Sequence, residues 1–203
     1  MSEALEMARE LVRKLEAEEK ENENKNKKVP LSALFPGETF KIGESDFIVL
    51  EHTDNGTKVI SKGLFKESVV FDENTREYNK SSIKNIIETE IQPWIEKKVG
   101  EENLVAHKVH LTSVDMQDEF EPWQGCVRLL TFDEAREYND FLVNGDLDDW
   151  WWTMTPWSTE NRGWKYSLAV VSPSGCICSG NYCSSFGVRP FCIFSSAIFE
   201  SEE

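Results

Sequence analysis

The chain lacks any long apolar run. Its 203 residues hold no stretch near the ~20 apolar residues that a membrane helix needs, so no spanning segment is expected. It is also short of positive charge. Lys and Arg number 22 against 37 Asp and Glu, a formal net charge of −15, which argues against direct contact with nucleic acid phosphates. No secretory leader is expected, because the N-terminus is acidic and amphipathic rather than basic and then apolar. The five Cys therefore read as reduced thiols, and an odd count suits a closed disulfide framework poorly. Histidine is limited to His52, His107 and His110, none with a Glu at metallopeptidase spacing. Neither a Ser nucleophile elbow nor a Gly-rich phosphate loop occurs. No catalytic residue, cofactor or metal is expected from these patterns.

What the chain does have is concentrated between residues 150 and 194, which hold five of seven Trp and four of five Cys. Trp150, Trp151 and Trp152 are consecutive, so on a strand at least one faces away from the others. The run Ser167-Leu-Ala-Val-Val-Ser-Pro-Ser-Gly175 predicts a strand of small and β-branched residues ending in a turn. Gly187-Val-Arg-Pro190 leads into Phe191-Cys-Ile-Phe194, a last apolar strand. Pro190, which has no N–H for a ladder, belongs at its start or on an edge.

Upstream, Leu5, Ala8, Val12 and Leu15 make a narrow apolar seam on a predicted helix over residues 2–20. That seam is read equally as a surface helix packed on the domain or as a short homodimer coiled coil. Residues 16–28 are charge-rich and read as a helix end and linker. Phe40-Lys-Ile-Gly-Glu-Ser-Asp-Phe-Ile-Val-Leu50 predicts two strands about a turn at residues 43–46, and Asp54-Asn-Gly56 predicts the next turn. Ser81 is expected to cap a helix through about Lys98, with Ile83, Ile86, Ile87, Ile91, Trp94 and Ile95 inward. Pro93 would kink it or start a second turn, and Gly100 would end it. Thr131-Phe-Asp-Glu134 is a capping box, opening a helix with Ala135, Tyr138, Phe141 and Leu142 on its inner face. Strands, two helices and a β-rich tail predict an α+β domain.

The order Trp-Trp-x-x-x-Pro, polar loop, Ala-x-Val, Gly, polar run and Gly-Val-Arg-Pro resembles an uncharacterised domain family of Firmicutes and their phages. That family's usual form is close to WWLRSPG…GVRPAL. Val127-Arg-Leu-Leu-Thr-Phe-Asp-Glu-Ala135, Tyr78-Asn-Lys-Ser-Ser-Ile83 and Pro36-Gly-Glu-Thr-Phe40 resemble its other segments, so the resemblance spans about residues 30 to 198. The chain departs from it at residues 153–155, Thr-Met-Thr in place of Leu-Arg-Ser. The family is in turn similar to C-type-lectin-like domains, among them the variable proteins of diversity-generating retroelements and formylglycine-generating enzymes. The resemblance implies a C-type-lectin-like α+β domain with antiparallel sheets and two helices over residues 29–203. A helical arm and linker, residues 1–28, precede it. It also implies a phage or prophage origin, and so a host-cytoplasmic or virion location.

Four candidate sites follow. Cys178-Ser-Gly-Asn-Tyr-Cys183 matches the Cys-x4-Cys pair that formylglycine-generating enzymes use for copper, but there the pair lies well upstream of the terminal Gly-Phe-Arg. Asn144-Gly-Asp-Leu-Asp-Asp149 offers oxygens but not EF-hand spacing, and reads as a solvated acidic turn. The three His read as ordinary. The polar-aromatic loops are favoured. Trp157, Ser158, Thr159, Asn161, Arg162, Trp164 and Tyr166 form one cluster; Ser179, Asn181, Tyr182, Ser184 and Ser185 form another. Rigid aromatics among adaptable polar residues are the composition of a protein-binding surface. Trp150 and Trp151 are assigned to the core, and contact roles to Trp157, Trp164 and Tyr182. The expected function is a non-enzymatic binding module with a protein partner. The alternative is an acidic antagonist, because residues 100–160 hold 14 acidic and 3 basic groups that could occupy a basic site on a host protein. A copper-thiol oxidase is a third reading.

Overall fold

Two consecutive tryptophans divide the interior. In the computed structural model, residues 30–195 are described, apart from 144 and 146. Trp151 and Trp152 lie on one strand and are both fully buried. Strand alternation sends them to opposite faces. Trp151 joins Ile48, Ile60, Leu142 and Phe191 in one apolar cluster, whereas Trp152 joins Phe71, Val170 and Val188 in the other. Both tryptophans are thus core, as is half-buried Trp150 at the edge of the second cluster. The arm, its linker and the dimer seam of residues 2–20 lie outside the described residues.

The strands, in chain order, are β1 (Thr39–Ile42), β2 (Ser45–Thr53), β3 (Gly56–Ser61), β4 (Lys66–Val70), β5 (His107–Val109) and β6 (Trp123–Gly125). There follow β7 (Val127–Arg128), β8 (Trp151–Pro156), β9 (Ser167–Val171), β10 (Ile177–Asn181), β11 (Ser185–Val188) and β12 (Phe191–Phe194). One sheet has the order β1-β2-β3-β12-β7, the other β10-β9-β8-β11-β4, and β5-β6 form a ribbon. Pairing is antiparallel except where β11 meets β8 in parallel at Gly187 and Trp151. The fold is therefore mixed α+β, with antiparallel pairing predominant.

The first sheet is apolar on both faces. On β2, Phe47 and Val49 enter one cluster and Ile48 and Leu50 the other; on β12, Cys192 and Phe194 oppose Phe191 and Ile193. Gly56 ends the Asp54-Asn-Gly56 turn at φ 136°, where a Cβ would sit 2.2 Å from the Phe194 carbonyl oxygen, so no side chain fits. Pro190 precedes β12 and its carbonyl accepts the Ser61 N–H at 3.0 Å.

Ser81 caps α1 (Ser82–Ile86), accepting the Lys84 N–H at 3.2 Å. A π-helical turn over Ile87–Ile91 joins it to α2 (Gln92–Val99), and Gly100 closes the helix at φ 88°. Of the two outcomes the sequence allows at Pro93, a kink or the start of a second turn, the second holds: Pro93 lies in the first turn of α2, and the helix widens just before it. Proline offers no N–H to the turn behind it, and i→i+5 bonding absorbs that loss. The wider turn also keeps Ile83, Ile87, Ile91 and Ile95, spaced by four, on one wholly buried stripe. Ile86 and Trp94 are only half-buried. The capping box forms as the sequence predicts: Thr131 Oγ1 accepts the Glu134 N–H, and Glu134 accepts the Thr131 N–H at 2.9 Å. The helix it opens is broken at Tyr138 into α3 (Phe132–Glu137) and α4 (Asn139–Leu142). Ala135, Tyr138 and Leu142 face the Trp151 cluster, and the isoleucine stripe faces the Trp152 cluster.

Candidate functional site

The favoured loop leaves β8 and returns as β9, and a second loop fixes it. Trp157 N–H bonds to the Ser167 carbonyl at 2.9 Å, closing the loop at its base. At the turn, Gly163 takes φ 88° after the short 3-10 turn Glu160–Arg162. Ser158 is buried, and its hydroxyl donates to Asp115 Oδ2 at 2.7 Å. Arg162 pairs with the same Asp115 oxygen. Buried Arg76 donates to the Ser158 carbonyl at 2.6 Å and pairs with Glu119, whose other oxygen accepts the Glu160 N–H. The hydroxyls of Ser113 and Ser158, then Arg162, hold the Asp115 carboxyl down at about 2, so the clasp stays ionised near neutrality.

Behind these anchors the loop presents its large side chains outward. Trp164 and Tyr166 are 40% and 51% exposed, and Asn161 and Arg162 are exposed beside them. Half-buried Trp157 leans on Trp164, ring centres 6.0 Å apart. Tyr182 is buried, 5.8 Å from the Tyr166 ring, with its N–H bonded to the Tyr166 carbonyl at 2.9 Å. Asn181 is exposed at the end of β10. The geometry therefore brings the eight site residues into one region but sorts them: Ser158 and Tyr182 support, while Asn161, Arg162, Trp164, Tyr166 and Asn181 face out. Met116, 68% exposed and at φ 60°, tips the anchoring loop next to Asp115. The roles of Asp115, Glu119, Arg76 and Met116 carry no local sequence signal, because the contacts are made across tens of residues.

The remaining candidates are dispersed. Cys176, Cys178 and Cys183 are exposed; burial and neighbouring Cys176 push the Cys178 thiol up, and Cys183 Sγ lies 3.7 Å from the Glu73 carbonyl oxygen. Among the described residues no three His, Cys, Asp or Glu side chains are grouped to hold a metal. His52 donates from Nε2 to the Leu34 carbonyl at 2.7 Å, leaving Nδ1 to accept from Thr57.

His107 belongs to a buried ionic network. Arg128 makes a two-pronged pair with Glu134 at 2.6 and 2.7 Å, and its Nε donates to His107 Nε2 at 2.9 Å. The His107 Nδ1–H donates to the Val105 carbonyl. Burial, then the Arg128 charge, lowers the imidazole to about 4. Glu134 is held at about 2 by Arg128 and the Thr131 groups, against its burial. This network, with its guanidinium 4.1 Å from the Phe191 ring centre, braces the helix start against the first sheet.

Arg189 of the Gly-Val-Arg-Pro motif is internal too. It is fully buried, and donates to the carbonyls of Ser61 at 3.0 Å, Lys62 at 3.1 Å and Leu142 at 3.3 Å. The signature arginine thus fastens three chain segments rather than facing a ligand.

A mixed α+β domain with a tethered aromatic loop is the class these features define. The family model for a domain of unknown function, DUF6273, matches residues 56–196, more than two thirds of the chain, and the chain belongs to that family. No curated protein and no solved structure matches it. Among the described residues, no helix is long and apolar enough to cross a membrane.

Proposed function

We propose that this chain is a non-enzymatic protein-binding module, of C-type-lectin-like fold and phage or prophage origin, which recognises its partner through the loop of residues 157–166. One observation carries the reading. Trp164 and Tyr166 stand exposed on a loop whose backbone is anchored from below by Ser158, Asp115, Glu119 and Arg76. Large aromatics held in place before contact lose little freedom on binding, which is how binding anchors gain affinity. The lectin-like assignment rests on the sequence resemblance of its segments.

The acidic antagonist is the second reading, supported by exposed Asp118, Glu121, Glu137, Asp140 and Asp148 within the acidic block. Against its breadth, Asp115, Glu119 and Glu134 of the same block are engaged internally. Affinity capture with the full chain, compared with a Trp164→Ala, Tyr166→Ala variant of unchanged melting temperature, tests the first reading. Partners retained by the native chain and lost by the variant support it; an unchanged partner set refutes it.

A further inference from the structure

The two large sheets expose four edge strands, and three are blunted. β4 carries Lys66 and Glu67, a left-handed Ser68 at φ 51°, and an irregular register against β11. β1 is four residues long and carries Lys41, and β7 has two residues. Charges, bulges and shortness are the devices that keep sheet edges from pairing with other chains. β10 has none of them. Its five residues, Ile-Cys-Ser-Gly-Asn, pair with β9 in unbroken register, and among the described residues no strand lies on its outer side. Cys178, Ser179 and Asn181 are exposed along it.

The charge pattern spares this edge, together with β9 and β11 beside it in the sequence. Residues 167–188 contain no Asp, Glu, Lys, Arg or His, in a chain that is 29% charged with a net charge of −15. An edge built for a partner of opposite sign would carry acidic groups, which this chain has in excess. An edge cleared of charge suits a partner of the same sign, because like charges brought face to face oppose contact.

We propose that β10 is a self-association edge: two copies of this chain pair β10 with β10 in antiparallel fashion about a two-fold axis, joining their second sheets into one. Such an isologous contact needs a self-complementary strand, and a short uncharged one meets that need. The inference is independent of the loop reading, since it uses the main chain of β10.

Sedimentation velocity on the full chain in reductant tests it, over a concentration series at low and high salt. A monomer–dimer equilibrium is expected, tightening as salt screens the −15 chains from each other. Ser179→Lys places a charge on the edge and is expected to weaken the dimer by about tenfold or more. Thr89→Lys, which adds the same charge on the π-helical turn beside β4 at the opposite edge of that sheet, is expected to leave it unchanged. Hydrogen exchange provides a readout that needs no variant: amides of residues 177–181 gain protection as concentration rises. A chain that stays monomeric at every concentration overturns the proposal. So does a dimer indifferent to Ser179→Lys without concentration-dependent protection at β10, which would place the contact on another surface.

Discussion

The Arg189 guanidinium carbon lies 5.0 Å from the centre of the Trp151 ring. One residue comes from the motif before the last strand, the other from the middle of the tryptophan run, at the start of β8. Their contact ties these two features of the chain together. The ring face is the electron-rich side, which attracts a cation, and three carbonyls take the in-plane N–H groups. Burial pulls the guanidinium down toward about 9, while the carbonyls and ring favour its charge, so it remains a cation at neutral pH.

Arg189→Lys is therefore not conservative. An ammonium cannot reach three divergent carbonyls in the plane of a fork and is more strongly hydrated. Both Arg189→Lys and Arg189→Met are expected to destabilise by roughly 2–4 kcal/mol, since each leaves buried carbonyls unpaired. Chemical denaturation measures this, and a loss below about 0.5 kcal/mol for Arg189→Lys would contradict the clasp.

The adjacent tryptophans should respond differently to the same substitution. Trp152 Nε1 donates to the Val69 carbonyl at 2.7 Å, whereas Trp151 Nε1 has no hydrogen-bond partner among the described residues. Replacement by Phe removes similar apolar volume at each. At Trp152 it also strands a carbonyl; at Trp151 it removes an unsatisfied donor. Trp152→Phe is expected to cost about 1–2 kcal/mol more than Trp151→Phe. Equal losses in denaturant melts would mean that the indole bond contributes nothing.

The Arg128 network makes stability fall with acid in two windows. The folded imidazole of His107 titrates at about 4 against an ordinary value of 6.5, so unfolding takes up a proton between those pH values. Glu134 titrates at about 2 against 4.5, so its stabilisation is complete above 4.5 and lost on the way down to 2. Each window represents on the order of 2 kcal/mol, the His107 window less because part of the ring meets solvent. Urea midpoints from pH 7 to pH 2.5 should decline throughout. Glu134→Gln should flatten the lower window and His107→Gln the upper one. A native profile flat between pH 6.5 and pH 4 would remove His107 from the network.

Local chemistry was legible in the sequence, and long-range chemistry was not. The Thr131–Glu134 box, the Ser81 cap, the Gly100 stop and the Asp54-Asn-Gly56 turn are decided within a few residues, and each forms. Pro93 announced an irregular helix, but whether it kinks or widens depends on the isoleucine stripe seating against the sheets. Arg189 gave no sign of its burial, because its acceptors lie up to 128 positions away. Asp115 looked like one more member of an acidic block. Its use as a clasp depends on Ser158 and Arg162, more than forty residues on. The same long-range contact moved Ser158 from the expected recognition surface into the support beneath it.

The two binding readings separate by how they respond to aromatic loss and to salt. Recognition through the loop rests on Trp164 and Tyr166, whose removal from a buried contact typically costs 2 kcal/mol or more. Acidic mimicry rests on many exposed carboxylates, each worth little, whose sum weakens as the Debye length shrinks from ~10 Å at 0.1 M salt to ~3 Å at 1 M. With a partner in hand, Trp164→Ala with Tyr166→Ala is expected to weaken affinity at least about thirtyfold at every salt concentration. Asp118→Asn, Glu121→Gln and Glu137→Gln together should change mainly the association rate at low salt. Asp115→Asn tests the anchoring itself. By freeing Ser158 and Arg162 it should speed amide exchange through residues 157–166 and weaken binding by a smaller factor. If the carboxylate triple abolishes binding, salt does the same and the aromatic pair is silent, the loop is scaffold and the acidic face is the site.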